Sequence, residues 1–222
     1  MDQALIPADA ASGAPRPGST PRTRVRRLPE KSVDDVAALY GVLDEALVAH
    51  VAVVDDARPV VLAMACARDG DQLLLHGSSG SRVMRRLAAG APACVTVTLL
   101  DGLVLARSAF ESSMRYRGVV VFGRALEVPP AEKEEALRRL TDHLTPGRWD
   151  RLRPPHRREL AATTVVRLPL AECSVKISDG WPDDPDDDLD WPVWAGVVPL
   201  STTRGRPLAD PRLRVDAAPP EV

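Results

Sequence analysis

Two Asp-Gly pairs, Asp69-Gly70 and Asp101-Gly102, interrupt runs of Val and Leu. Asp-Gly between apolar runs favours a two-residue hairpin turn, so each pair predicts two antiparallel strands joined back to back. Around the first pair, 60–67 and 72–76 read as strands; around the second, 93–100 and 103–110 do. In 93–100, Cys94, Thr96 and Thr98 alternate with Val95, Val97 and Leu99, the period of a half-buried strand. Further strands are expected over 47–54, which ends in a turn at 55–59, over 116–128 with a bend at Gly123, and over 163–168 and 174–177. Aromatic residues are only 4% of the chain, so the core must be built from Val, Leu and Ala. Closely spaced strands with few helices predict a mostly-β (α+β) barrel; the regular strand–helix alternation of a parallel sheet is missing.

Three helices are expected. Ser32 reads as the N-cap of the first, with Asp34 and Asp35 in its opening turn and Val36, Leu39, Tyr40 and Leu43 at helical spacing. The second covers 82–89, with Val83, Met84 and Leu87 on one face and Gly90 as its stop. The third follows Pro129-Pro130 and aligns Leu137, Leu140 and Leu144. Residues 1–23, rich in Ala, Pro, Gly and Ser, read as a disordered leader, 24–200 as the folded domain and 201–222 as a loose tail. A net charge of -2 gives no basic surface for nucleic acid. No apolar stretch reaches bilayer length and no apolar run follows a basic start, so a cytoplasmic protein off the membrane is expected. Cys66, Cys94 and Cys173 have no metal-like spacing and read as buried free thiols of a reducing compartment. His50, His143 and His156 lack ligand spacing, so no metal is expected.

Three stretches carry possible chemistry. In Leu73–Arg82 a strand enters a small-residue loop that opens a helix. Free backbone N–H groups there, hydroxyls on Ser78, Ser79 and Ser81, and the Arg82 guanidinium suit an anion such as a phosphate; a solvated turn with a serine cap explains the same residues. His76, beside that loop, is either a satisfied structural residue or a hydrogen-bonding partner of a cofactor or substrate, and is the one candidate acid–base group. In 106–117, Arg107, Arg115, Tyr116 and Arg117 could face a phosphate or an aromatic ring system, or form a charged surface turn. Trp181–Trp191 is an acidic surface loop: its prolines and spacing do not fit a calcium loop. Trp191 and Trp194 read as packing or interface anchors.

The ordered set Leu75-His76-Gly77, Ser81-Arg82, Asp101 to Ser108, Ser113 to Arg117, Val119 to Gly123, Pro146 to Trp149, Glu159-Leu160, Ala162-Thr163, Val175 to Ile177 and Trp194 to Leu200 resembles the pyridoxamine 5′-phosphate oxidase-like FMN-binding split-barrel proteins. It looks closest to their nitroimidazole-resistance and flavin-nucleotide-binding branch. The resemblance implies a six-stranded split β-barrel with flanking helices, acting as a homodimer with FMN at the subunit interface. It implies that Ser81 and Arg82 hold the FMN phosphate and that Val61, Leu62, Ala63 and Met64 line the isoalloxazine through their backbone. His76 would lie at the cofactor pocket, while Arg107, Tyr116 and Arg117 would lie near the interface and reach the partner's flavin. Arg115 and Gly118 stand where the family pattern has Asn and Ser, and the C-terminal arginine segment of true pyridoxamine-phosphate oxidases is missing, so vitamin B6 synthesis is not implied. The implied function is an FMN-dependent oxidoreductase acting on a small molecule. The alternatives are a non-enzymatic flavin or haem binder, with His76 as haem ligand, and a deazaflavin-dependent reductase.

Overall fold

The computed structural model describes residues 14–220. The strands are β1 (Ser32–Val33), β2 (Val48–Asp55), β3 (Arg58–Asp69), β4 (Gln72–Ser78), β5 (Pro92–Leu105), β6 (Ser113–Arg124), β7 (Leu126–Glu127), β8 (Thr163–Pro169), β9 (Glu172–Ser178) and β10 (Gly196–Pro199). The helices are α1 (Val36–Glu45), α2 (Arg82–Ala88), α3 (Lys133–Leu144) and α4 (Arg157–Ala162). All strand pairs are antiparallel.

β8, β4, β3, β2, β5 and β6 pair in that order. β7 continues β6 past Ala125 and pairs with β8, which closes a six-stranded ring. The same edge of β6 pairs with β9 over Tyr116–Phe122 before β7 turns to β8. The split therefore lies where the β8–β9 hairpin parts, one strand to each half of that edge. Inside sit Val51, Val53, Leu73, Leu75, Val95, Val97, Val119, Val121, Val166 and Leu168, plugged by Leu39 and Leu43 of α1 and by Val83, Met84 and Leu87 of α2. α3 covers the outside of β4 and β8 through Ala136 and Leu140 against Leu74 and Val165. This is the expected mostly-β split barrel.

The Asp69-Gly70 turn is a hairpin as expected, with Asp69 opposite Gln72 and Gly70 at φ 59°. Asp101-Gly102 is not. β5 runs straight through it with only a register shift between Leu100 and Gly102, and the chain reverses later, at 106–112. There Ser108 Oγ accepts from Glu111 N and Ser112 Oγ donates to Ser108 O and accepts from Ala106 N, so serine side chains make the turn. Gly102 serves close approach instead: a Cβ there would lie 3.1 Å from Val198 O and 3.2 Å from Val197 Cγ1 of β10. Asp101 is held by Arg117.

Other boundaries move for local reasons. Asp35, not Ser32, caps α1 by accepting from Ala37 N, because Ser32 is drawn into β1 against β9. Pro59 belongs to β3 rather than the preceding turn, which Asp56 and Ala57 make with φ 47° and 58°. Of the expected leader, 1–13 lie outside the described residues. The rest packs on β9: Gly18 N donates to Cys173 O, Thr20 Oγ1 to Glu172, and Thr23 is buried. In the tail, Arg204 donates to Leu144 O at the end of α3. Cys66 and Cys173 are buried, which pushes both thiols up to about 11, and Cys94 is half-buried.

Candidate functional site

β3 pairs with β4 only over Cys66–Asp69. From Arg58 to Ala65 it pairs with β2 alone, which leaves one strand edge open. Cys66 N donates to Leu47 O, and because strand peptide groups alternate sides, those of Val61 and Ala63 point away from β2, into the open edge. Val61 is 56% and Leu62 42% exposed. β4 departs from this edge at Leu75 and leads through Gly77–Ser81 into α2. α2 is tied back to the far end of the β2–β3 hairpin: Arg86 Nε donates to Asp55 Oδ1 at 2.8 Å, and Arg82 lies 3.4 Å from Asp55 Oδ2. The result is a notch. Its walls are the β3 edge and the end of β4, and its ends are the Cys66–Leu75 pair and the Asp55 cluster.

The loop of the notch is well ordered by its own bonds. Ser79 N donates to Ala162 O of α4 at 2.8 Å, Ser81 N to Ser78 O, Gly80 N to Ser78 Oγ, and Met84 N to Ser81 Oγ. The backbone N–H groups of Arg82 and Val83 have no partner among the described residues, as expected for a first helical turn. Arg85 donates to Gly80 O, while the Arg82 side chain is 74% exposed.

His76 stands on β4 opposite Val165. Among the described residues neither ring nitrogen makes a hydrogen bond, and Nδ1 is buried without a partner. Burial pulls its pKa below the ordinary 6.5, so the ring is neutral at pH 7. A buried imidazole nitrogen left unpaired costs stability unless something fills it. Gly77, the next residue, brings β4 close against Met84 and Met64: a Cβ there would lie 2.8 Å from Met84 Cγ.

The structure thus gathers Val61, Leu62, Ala63, Met64, His76, Ser78, Ser79, Ser81 and Arg82 around one notch. Arg107, Tyr116 and Arg117 lie on the β5–β6 arm, away from it. Arg107 is spent on Asp184, donating from its backbone N and from a guanidinium nitrogen at 3.0 Å, and on Leu189 O. Arg117 grips both Glu45 and Asp101, and its hydrogen bond holds the Glu45 carboxyl below its usual range. Tyr116 is half-buried on β6 opposite Ser178. Asp55 was not among the expected site residues: it reads as an ordinary turn aspartate, and its pairing with Arg82 and Arg86 needs the fold to appear.

Residues 35–177, well over half of the chain, match the family described as pyridoxamine 5′-phosphate oxidase. The chain belongs to this family. Among solved structures, an FAD- and haem-binding protein from Mycobacterium smegmatis shares 45% identity and a TM-score of 0.82, over 86% of this chain and 94% of that one. A flavocytochrome from Azotobacter vinelandii shares 39% identity and a TM-score of 0.87, over 93% and 96%. A protein from Bacteroides thetaiotaomicron described as a 5-nitroimidazole antibiotic resistance protein shares the fold at 20% identity, with a TM-score of 0.55 over 66% of this chain and 86% of that one. No curated protein matches the sequence. Among the described residues no helix is long and apolar enough to cross a membrane.

Proposed function

We propose that this member of the family binds a flavin nucleotide in the notch and works as a redox protein. The observation that carries this reading is the open β3 edge next to the end of β4, where His76 makes no hydrogen bond among the described residues. Peptide groups of Val61 and Ala63 offer in-plane donors and acceptors to a flat heterocycle, and Leu62 and Met64 offer apolar cover. Ser78, Ser79 and Ser81, the free N–H groups of Arg82 and Val83, and the exposed Arg82 guanidinium receive phosphate. The residues present therefore fit the group. A bound flavin would supply the electron or hydride transfer; the chain binds it, orients it and excludes water.

A second cofactor is favoured by the two relatives above 35% identity, whose names include haem or cytochrome. On this chain His76 is the nitrogen donor that suits it: neutral, partly buried and without a hydrogen-bond partner among the described residues. The same reading includes a homodimer. The β5–β6 arm exposes Leu100, Leu103, Leu105 and Met114, with Phe110 90% exposed at its tip, an apolar area that a second copy would cover.

The test is the absorption spectrum of purified protein, with chromatography of cofactor released on denaturation. Flavin bands, and weakened binding in Arg82→Ala, support the reading; a Soret band lost in His76→Ala supports haem at that residue. Colourless protein that takes up neither FMN nor FAD would overturn it.

A further inference from the structure

We propose that the cavity between the end of α3 and the C-terminal tail is a second binding site, built for a small phosphate monoester. Its walls are Pro146, Gly147, Arg148, Arg151 and, from the tail, Pro220, and its volume is about 210 Å³. None of these residues lines the notch, so the site stands apart from the flavin reading. Arg204 ties the tail to this region by donating to Leu144 O at 2.8 Å. Gly147 turns the chain with φ 66°. Beyond its own chain neighbours, no atom lies within 4 Å of where its Cβ would stand, so that side of the cavity is open.

The backbone sets the two arginines as a pair. Arg151 N donates to Arg148 O at 3.1 Å, closing a single 3-10 turn over Trp149–Arg151. Side chains three residues apart in such a turn stand on one side, about 6 Å apart along its axis, within reach of one phosphate group. Among the described residues neither guanidinium makes a hydrogen bond or an ion pair. The arginines around them are taken: Arg138 lies 3.8 Å from Asp142 and 3.6 Å from Asp150, while Arg139 binds Asp69 and Arg153 binds Glu159. The nearby carboxylates are engaged too, since Asp142 also accepts from Trp149 N at 2.9 Å. The cavity therefore presents two positive charges without counter-charges of their own. A phosphate monoester carries about 1.5 to 2 negative charges at neutral pH, and its tetrahedral oxygens accept planar N–H forks from two directions. A dicarboxylate spreads the same charge over two separate groups, and a singly charged anion leaves one arginine uncompensated. The volume falls below the roughly 300–1,000 Å³ of pockets for drug-sized ligands, so the body of the ester is small, and the rings of Pro146 and Pro220 offer it apolar surface.

The experiment is isothermal titration calorimetry of the full chain in low-salt buffer free of phosphate, with glycerol 3-phosphate, inorganic phosphate and succinate as probes. The proteins are wild type, Arg148→Gln, Arg151→Gln and Arg158→Gln. Arg158 on α4 is exposed, has no ion pair among the described residues and lies outside the cavity, so it controls for surface charge in general. Saturable one-to-one binding of glycerol 3-phosphate is expected. Arg148→Gln and Arg151→Gln should each weaken it at least about threefold, the worth of one exposed ion pair, and Arg158→Gln should leave it unchanged. Inorganic phosphate or succinate binding as tightly as the ester overturns the assignment to an ester. Heat without saturation, an affinity that neither cavity variant moves, or an equal loss in all three variants overturns the site.

Discussion

Gly77→Ala tests the packing on which the notch depends. Gly77 does not use a left-handed backbone conformation, so alanine meets no conformational penalty and its whole cost is steric. A Cβ at this position would lie 2.8 Å from Met84 Cγ, 3.3 Å from Met84 Sδ and 3.7 Å from Met64 Cε. Carbon atoms sit comfortably at about 3.5–4.0 Å, so Met84 must withdraw by about 1 Å. It has nowhere free to go, because it is fully buried in the barrel interior beside Val83 and Leu87. Overpacking of this kind costs about 1–3 kcal/mol, offset by about 0.4–1 kcal/mol from the reduced freedom of the unfolded chain. The net expectation is a loss of about 1–2 kcal/mol, or about 2–8 °C in Tm at this chain length. Urea unfolding followed by circular dichroism reads it. The decisive comparison is the same substitution in Met84→Ala protein, where the obstructing side chain is gone and Gly77→Ala should be neutral or stabilising. Equal destabilisation in both backgrounds would refute the steric argument, as would a neutral effect in the wild type.

Two further outcomes follow from the ion pairs and from His76. Arg107→Ala takes the guanidinium from the Asp184 carboxylate, 1% exposed, but leaves it the bond from the backbone N of position 107; the expected cost is about 1–3 kcal/mol, with a loosened loop over 179–195 that limited proteolysis should cut first. His76 has a folded pKa below its ordinary 6.5, so below that pH the unfolded chain binds a proton that the folded chain refuses. Its contribution to stability is present above pH 6.5 and is lost as pH falls towards the depressed native value. The urea midpoint of cofactor-free protein should therefore drop between pH 7.5 and 5.5 by less in His76→Phe than in wild type, and an equal drop would show that another group carries the acid sensitivity.

The barrel is legible in the chain because its strands obey local rules. The alternation in 93–100 and the Asp69-Gly70 turn each encode their own geometry, and both appear where the residues place them. Failures fall where a distant partner overrides the local signal. Asp101-Gly102 carries a hairpin signal, yet β10, which arrives from nearly a hundred residues later, lies across Gly102 and needs its missing side chain. Ser32 has a capping side chain, yet pairing with Lys176 takes its backbone into a strand and leaves Asp35 to cap α1. α4 has too few residues and too many arginines to show a periodic apolar face, although its last carbonyl fixes Ser79 in the notch.

The site divides in the same way. Ser78, Ser79, Ser81 and Arg82 are contiguous, so a strand–loop–helix pattern reveals them. The open edge of β3 does not show in sequence, because Val61 to Ala65 look like any paired strand; only the early departure of β4 exposes them. The arginines of the arm illustrate the opposite error. A dense group of Arg107, Arg115 and Arg117 suggests spare positive charge, but spare charge is a property of the folded surroundings. Asp184, Glu45 and Asp101 consume two of them, and Arg115 stacks on Trp181 and donates to Gly180 O. Arg82 is 74% exposed, and among the described residues its one ion-pair partner, Asp55, holds Arg86 more tightly. How much positive charge an arginine leaves unpaired is thus decided by which carboxylates the fold brings to it, and a count of arginines along the chain does not reveal that.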